Sequence, residues 1–288
     1  MAFDLKTFKL RAGTAVIFVA IMLLGIFSGV WGFFSLLLLV HFGAWVEYNQ
    51  LMKLSSTSYQ KMSSFFRNGM IAIGSCFLLH AKEGLLVDDT SYAEIAQYLL
   101  ISLGIAVPTS LIFSDRKKWK DIMWALAGLA YITGGVVAAF WLYQQFQGFF
   151  KQGAWPIFVF LFGTIWLNDT LAYLVGSFIG KTPLSKISPK KTWEGTVGGA
   201  LLTVAIISAA SLRFFVGFTT LQTVSLVILI SIAATLGDLW ESKLKRQSGV
   251  KDSGSILPGH GGFLDRFDSF FLASTVAALY VKFVVLAA

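Results

Sequence analysis

The sequence predicts an all-α, polytopic integral membrane protein with about nine transmembrane helices, N-terminus inside and C-terminus outside. Three observations predict it. The 288 residues are 56% hydrophobic and 13% charged, with a mean hydropathy of +0.72, far more apolar than a soluble domain of this length. Charge-free runs cover 12–46, 95–114, 122–150, 152–168, 195–212 and 214–237. About 20 apolar residues cross the hydrocarbon of a bilayer, so most of these runs suffice for one helix. Finally, the basic residues alternate between sides as the runs succeed one another.

The first run is long enough for a tight hairpin, giving helices at 12–28 and 30–47. The next, at 66–81, is the weakest, with only 14 uncharged residues between Arg67 and Lys82. It carries Cys76, the one cysteine, which cannot form an internal disulfide or a cysteine-rich metal site and is expected to pack. Further helices follow at 94–114, 121–144, 154–178, 195–215, 219–238 and 263–286. Lys6, Lys9 and Arg11 before an apolar run resemble a secretory signal, but no Ala-x-Ala pattern follows, so the first helix is expected to stay uncleaved.

The formal net charge of +8 would suggest nucleic acid in a soluble chain, but its distribution points to membrane topology instead. With the N-terminus inside, the inner segments hold 18 basic residues, among them Lys53, Lys61, Arg116, Lys117, Lys118, Lys120, Lys181 and Lys186. The outer segments hold three, Lys82, Lys151 and Arg213. One miscounted span would scramble that alternation.

The two halves differ in character. Residues 1–150 supply ordinary lipid-compatible helices, a scaffold without legible chemistry, and Asp88-Asp89 falls in an outer loop with no partner acid nearby in sequence. Residues 151–288 bring polar groups to membrane depth and carry two long inner loops, 179–194 and 239–262, on the same predicted side. No repeat of 20–50 residues is evident, which argues against a repeat-built transporter.

Three constellations in that half could carry chemistry. Asn168-Asp169 lies late in the sixth helix, where a carboxylate must pair with a cation, a donor or water; a structural hydrogen bond between helices is the alternative. Ser188, Lys190, Lys191, Thr192 and Glu194 precede the seventh helix. Thr192 suits a helix cap, and a helix N-terminus beside lysines favours a phosphate, although contact with acidic lipid heads would use the same lysines. The densest stretch runs from Ser242 to Asp268, with Asp238 just before it. Asp238, Asp265 and Asp268 fit Mg²⁺, which takes one or two carboxylates together with substrate phosphates. Asp265 and Asp268 could instead satisfy the helix start while pairing with Arg266 and Lys251. Gly259, Gly261 and Gly262 around His260 permit close backbone approach to a ligand, and His260 donates to a phosphate or tethers its loop.

This stretch closely resembles the CDP-diacylglycerol synthases, or phosphatidate cytidylyltransferases. Their signature reads here as Ser242, Lys245-Arg246, Lys251-Asp252, Pro258, His260-Gly261-Gly262, Asp265-Arg266 and Asp268, without departure. The likeness covers about residues 165–270. It implies transfer of CMP from CTP to phosphatidic acid, giving CDP-diacylglycerol and pyrophosphate, at the cytoplasmic face of the inner membrane. It implies Mg²⁺ on Asp238 and Asp265 with Asp268 in support, leaves open a second, monovalent cation such as K⁺, and implies a homodimer. Lys245, Arg246, Lys251, Asp252, His260 and Asp265 become the expected catalytic residues. Ser188, Lys190, Lys191, Thr192, Glu194, Asn168, Asp169, Ser242, Gly261 and Gly262 are expected to bind substrate. Two rivals stand beside it: a cation-coupled transporter and a CTP-dependent polyprenol kinase.

Overall fold

Apolar runs in hydrocarbon have no water to bond their backbone, so each closes its hydrogen bonds internally as a helix. The computed structural model describes residues 5–82, 119–149, 153–214, 218–256 and 261–287, and among them helices carry the fold, with one isolated bridge between Pro183 and Thr192. The predicted helix at 94–114 and the Asp88-Asp89 loop lie outside the described residues.

Helices α1 (Leu5–Phe27) and α2 (Gly29–Ser55) form the expected hairpin. Its turn uses Gly29 at φ +75°, a conformation that glycine adopts without a steric penalty. A one-turn helix α3 (Thr57–Gln60) follows, capped by Ser56, whose Oγ accepts from Tyr59 N at 3.2 Å and donates to Asp121 Oδ1 at 2.8 Å. Then come α4 (Ser64–Lys82), α5 (Trp119–Gln147, widened to a π-turn at Leu129–Thr133), α6 (Trp155–Ile179) and α7 (Trp193–Phe214). The last two are α8 (Thr220–Gln247) and α9 (Phe263–Val285).

Six of these helices, α2 and α5 to α9, are long and apolar enough to cross a membrane. Within α1 the stretch Gly13–Phe27 is apolar, and α4 is the weak helix the sequence foretold. Side chains such as Leu24, Leu201 and Ile232 are 66%, 66% and 52% exposed, an apolar surface of the kind that lipid covers.

The chain forms two compact units. One comprises Met1–Gln144 with Leu244–Phe267, the other Gln145–Lys243 with Asp268–Ala288. Most of the signature segment therefore packs with the N-terminal helices. In that first unit Trp45, Tyr48, Phe33 and Phe140 are fully buried, and their polar atoms find partners: Trp45 Nε1 donates to Thr133 Oγ1 at 3.1 Å and Tyr48 OH to the Trp124 carbonyl at 2.6 Å.

Two helix ends correct the sequence-derived boundaries. α8 was expected to close at Asp238 but continues to Gln247. Its last turns stay helical because Leu244 is buried on one face while Lys243 and Arg246 reach solvent on another, and cations suit a helix C-terminus. Asp238 thus lies well inside the helix. α2 likewise runs on from residue 47 to Ser55, which puts Glu47 within the span.

In the second unit α6 and α7 approach closely through small residues. A Cβ added at Gly195 would lie 2.6 Å from the Ala172 carbonyl oxygen, and one at Gly199 would lie 2.4 Å from the Ala172 nitrogen. Neither backbone atom can yield as a flexible side chain would. Gly199→Val is expected to lower stability by about 1–3 kcal/mol or to splay the two helices, read as a drop in the thermal unfolding midpoint of the detergent-purified protein.

Candidate functional site

The loop between α6 and α7 is short of regular structure but not of bonds. Leu184 N donates to the Lys191 carbonyl at 2.7 Å, Trp193 N to Thr182 O at 2.9 Å and Lys191 N to Ser188 O at 3.1 Å. Glu194 accepts from the backbone N–H groups of Lys181 and Thr182, both at 3.1 Å, so it holds the loop rather than lining the cavity. Thr192 caps α7 as its sequence suggests, its Oγ1 accepting from Gly195 N at 3.1 Å.

This loop presents Ser188, Lys190, Lys191 and Thr192 to a cavity of about 460 Å³. Its other walls are Asn168, Asp169 and Tyr173 of α6, Thr196 of α7, and Thr235 and Asp238 of α8. Lys191 Nζ pairs with Asp238 Oδ2 at 2.6 Å. Asp169 is exposed to this space, whereas Asn168 is 2% exposed and, among the described residues, its Oδ1 has no hydrogen-bond partner. Asp268 joins the group electrostatically, feeling the charges of Asp238, Asp169 and Lys191. Its backbone also closes on α8, since a Cβ at Gly237 would lie 2.4 Å from the Asp268 carbonyl oxygen. Ser242 stands one turn beyond Asp238 on α8 and does not line the cavity. Among the described residues no three His, Cys, Asp or Glu side chains are grouped so as to hold a metal ion by themselves.

A second cavity of about 530 Å³ adjoins the first, sharing Thr196 and Thr235 with it. Its walls are apolar: Val197, Leu201 and Val204 of α7, Ile228, Ile232 and Leu236 of α8, and Trp193 at the loop. A polar, cationic cavity and an apolar one thus share part of a wall.

The remaining signature residues belong to the first unit. Lys245 Nζ pairs with Asp265 Oδ1 at 2.7 Å, with the two side chains 14% and 5% exposed. Asp265 Oδ2 accepts from Gly262 N at 2.8 Å, Ser253 N at 2.8 Å and Ser253 Oγ at 2.9 Å. Both carboxylate oxygens therefore have protein donors, and a cation at Oδ1 would have to take the place of Lys245. Asp265 does what the third residue of a helix does in a capping box: it reaches back to the N–H of Gly262, the residue before the first turn. It forms an ion pair with Lys245, whereas the alternative reading of the sequence pairs it with Arg266 and Lys251.

The spacing of Asp265 and Asp268 does not make them one group. The first is bound into Lys245 and Ser253, while the second belongs with Asp169, Asp238 and Lys191. Gly261 and Gly262 are shaped by protein groups. A Cβ at Gly261, where φ is +81°, would lie 2.5 Å from Asp265 Oδ2, and one at Gly262 would lie 2.2 Å from the Glu47 carboxylate. Arg246, Lys251 and Asp252 are exposed. Pro258, Gly259 and His260 lie outside the described residues.

Sequence reasoning missed Glu47, which is 1% exposed and whose carboxylate accepts from Ser253 Oγ, Phe263 N and Leu264 N. The available signal was an acid directly after the long charge-free run 12–46.

Comparison with known proteins covers nearly the whole chain. Residues 9–284 match the profile of a family described as the cytidylyltransferase family. A phosphatidate cytidylyltransferase of Synechocystis sp. is 32% identical, the match covering 94% of this chain and 95% of the relative. One from Staphylococcus saprophyticus is 32% identical over 91% of this chain and 94% of its own length. One from Haemophilus influenzae is 28% identical over 96% and 99%.

Removing the cap of α7 tests the loop geometry directly. Thr192→Ala is expected to cost about 1 kcal/mol of stability without substrate, measured as a fall in the thermal unfolding midpoint.

Proposed function

The chain belongs to the cytidylyltransferase family, and we propose that it is a phosphatidate cytidylyltransferase, transferring the CMP group of CTP to phosphatidate and releasing pyrophosphate. One observation carries the assignment from family to chemistry: the lysine-bearing cavity lies beside an apolar one, the two sharing Thr196 and Thr235 in their walls. A substrate with a phosphate head and hydrocarbon tails matches that pairing. The tails can stay in the bilayer while the head reaches the lysines.

A phosphate monoester has a second pKa of about 6, so the lipid head is mostly dianionic at neutral pH and needs no strong general base. An oxygen of that head attacks the α-phosphorus of CTP. The bond from the α-phosphorus to the bridging oxygen breaks, and pyrophosphate carries away the negative charge. Two anions must meet and charge must shift onto the leaving group, so positioning and neutralisation carry the catalysis. Lys190 and Lys191, with Ser188 and Thr192, supply donors and positive charge for the phosphates. Asn168 offers an acceptor to the nucleotide. The family likeness assigns catalytic roles to Lys245, Arg246, Lys251, Asp252, His260 and Asp265. Of these, Lys245 is held by Asp265, which fixes its charge in place.

Mg²⁺ is the cofactor we propose: Asp169 and Asp238 line the lysine-bearing cavity and Asp268 feels their charge, so these acids from three helices are the ones that substrate phosphates would join in holding it. Asp238 and Asp268 would hold the ion, which neutralises triphosphate charge when bound; K⁺ is the second cation proposed for the same acids. Nine spans, an inside N-terminus and a cytoplasmic active site at the inner membrane are supported by the distribution of basic residues. The homodimer rests on the family likeness, with residues 1–150 as its lipid-facing and contact scaffold.

Label in the α-phosphate of CTP is expected to enter the lipid fraction and label in the γ-phosphate to leave as pyrophosphate. Transfer of the γ-label to lipid would identify a kinase instead. Lys191→Met is expected to raise the KM for CTP about tenfold or more in protein that still folds, the size of one lost charged hydrogen bond; an unchanged KM would remove Lys191 from the cradle.

A further inference from the structure

Three positions on α2, spaced four apart and so on one face of the helix, grip the loop between α8 and α9. At the first, Gly43, a Cβ would lie 2.4 Å from the Phe263 ring, so that residue closes directly on the helix. The second is Glu47. The third is Leu51, whose carbonyl accepts from Ser248 Oγ at 2.8 Å. The loop is thus fastened to α2 at both ends, at Ser248 and at Phe263.

Glu47 is the polar centre of that seam. Its Oε1 accepts from Phe263 N at 2.9 Å, and its Oε2 accepts from Leu264 N at 2.8 Å and Ser253 Oγ at 2.7 Å. The first N–H groups of a helix have no partner within it, and residue 262, a glycine, has no side chain to cap α9. Glu47 does this capping from another helix, and its charge suits the positive end of the helix dipole. Ser253 joins Glu47 to Asp265, and Asp265 holds Lys245. The loop is moulded to this carboxylate, since a Cβ at Gly254 would lie 2.4 Å from it and one at Gly262 would lie 2.2 Å from it.

We propose that Glu47 is a positioning residue for the transfer reaction, setting through Ser253 and the first turn of α9 where Asp265 and Lys245 stand. This rests on the cytidylyltransferase assignment. A glutamine at 47 keeps the shape but has one acceptor oxygen in place of two, while Phe263 N, Leu264 N and Ser253 Oγ all donate to this side chain. The first turn of α9 and the Ser253 hydroxyl must then shift, and Asp265 with them. The phosphate-binding loop at Ser188–Thr192 makes none of these bonds, so CTP binding is expected to survive.

The test uses full-length protein in mixed micelles of detergent and phosphatidate. For Glu47→Gln, kcat is expected to fall about 100-fold, as a misplacement of about 1 Å does, while the KM for CTP stays within about twofold. Ser253→Ala should show the same split, and the double variant should lose little more than the worse single one, because both act through one link. Glu47→Asp, with its carboxylate one methylene short, should recover part of the kcat. Unchanged kcat in folded Glu47→Gln overturns the proposal, as do additive losses in the double variant or a rise in KM that accounts for the whole effect. If Glu47→Gln does not fold, Ser253→Ala decides alone: unchanged kcat overturns the proposal and the kcat-only loss supports it. Active wild-type protein beside a silent Glu47 variant effect sinks the positioning role only. Wild-type protein that moves no α-label to phosphatidate removes the assignment beneath it.

Discussion

A carboxylate buried among apolar helices has to find its donors inside the protein, and Glu47 finds three in the segment that carries the family signature. The position of that segment follows from this requirement. Ser253, Gly254, Gly262 and the first turn of α9 are arranged around one side chain, and Asp265 and Lys245 are arranged in turn around Ser253. Helices that serve as scaffold by composition thereby fix the polar groups of the signature segment in place.

In the other unit the same requirement is met differently. Lys191 balances Asp238 inside a cavity that also holds Asp169 and lies in electrostatic reach of Asp268. The loop that carries Lys191 has few apolar anchors, so it is made rigid by its own backbone bonds and by the Glu194 carboxylate.

Much of this was legible from residues alone, and what was not has a common physical cause. The hairpin at Gly29, the cap at Thr192 and the weakness of α4 follow from local rules of backbone and polarity, which act over a few residues. The ends of α2 and α8 did not follow. Charge was read as the edge of a span, whereas Glu47 and Asp238 are satisfied by partners and let the helix continue past them. Nor could Asp265 be assigned its donors. Glu47 lies 206 residues from Ser253 and 216 from Phe263, and no local pattern records a pairing at that distance. The glycines of the signature illustrate the same point: they look like room for a ligand, yet Gly261 and Gly262 are needed by Asp265 and Glu47.

The ion pair between Lys191 and Asp238 bears on life at a crowded anionic surface. An ammonium left bare in such a place would attract the headgroup of any acidic lipid that drifted by. Here a visitor must first outcompete an aspartate only 2.6 Å from the lysine nitrogen, a contest that a multiply charged triphosphate enters with far greater force than a singly charged phosphodiester.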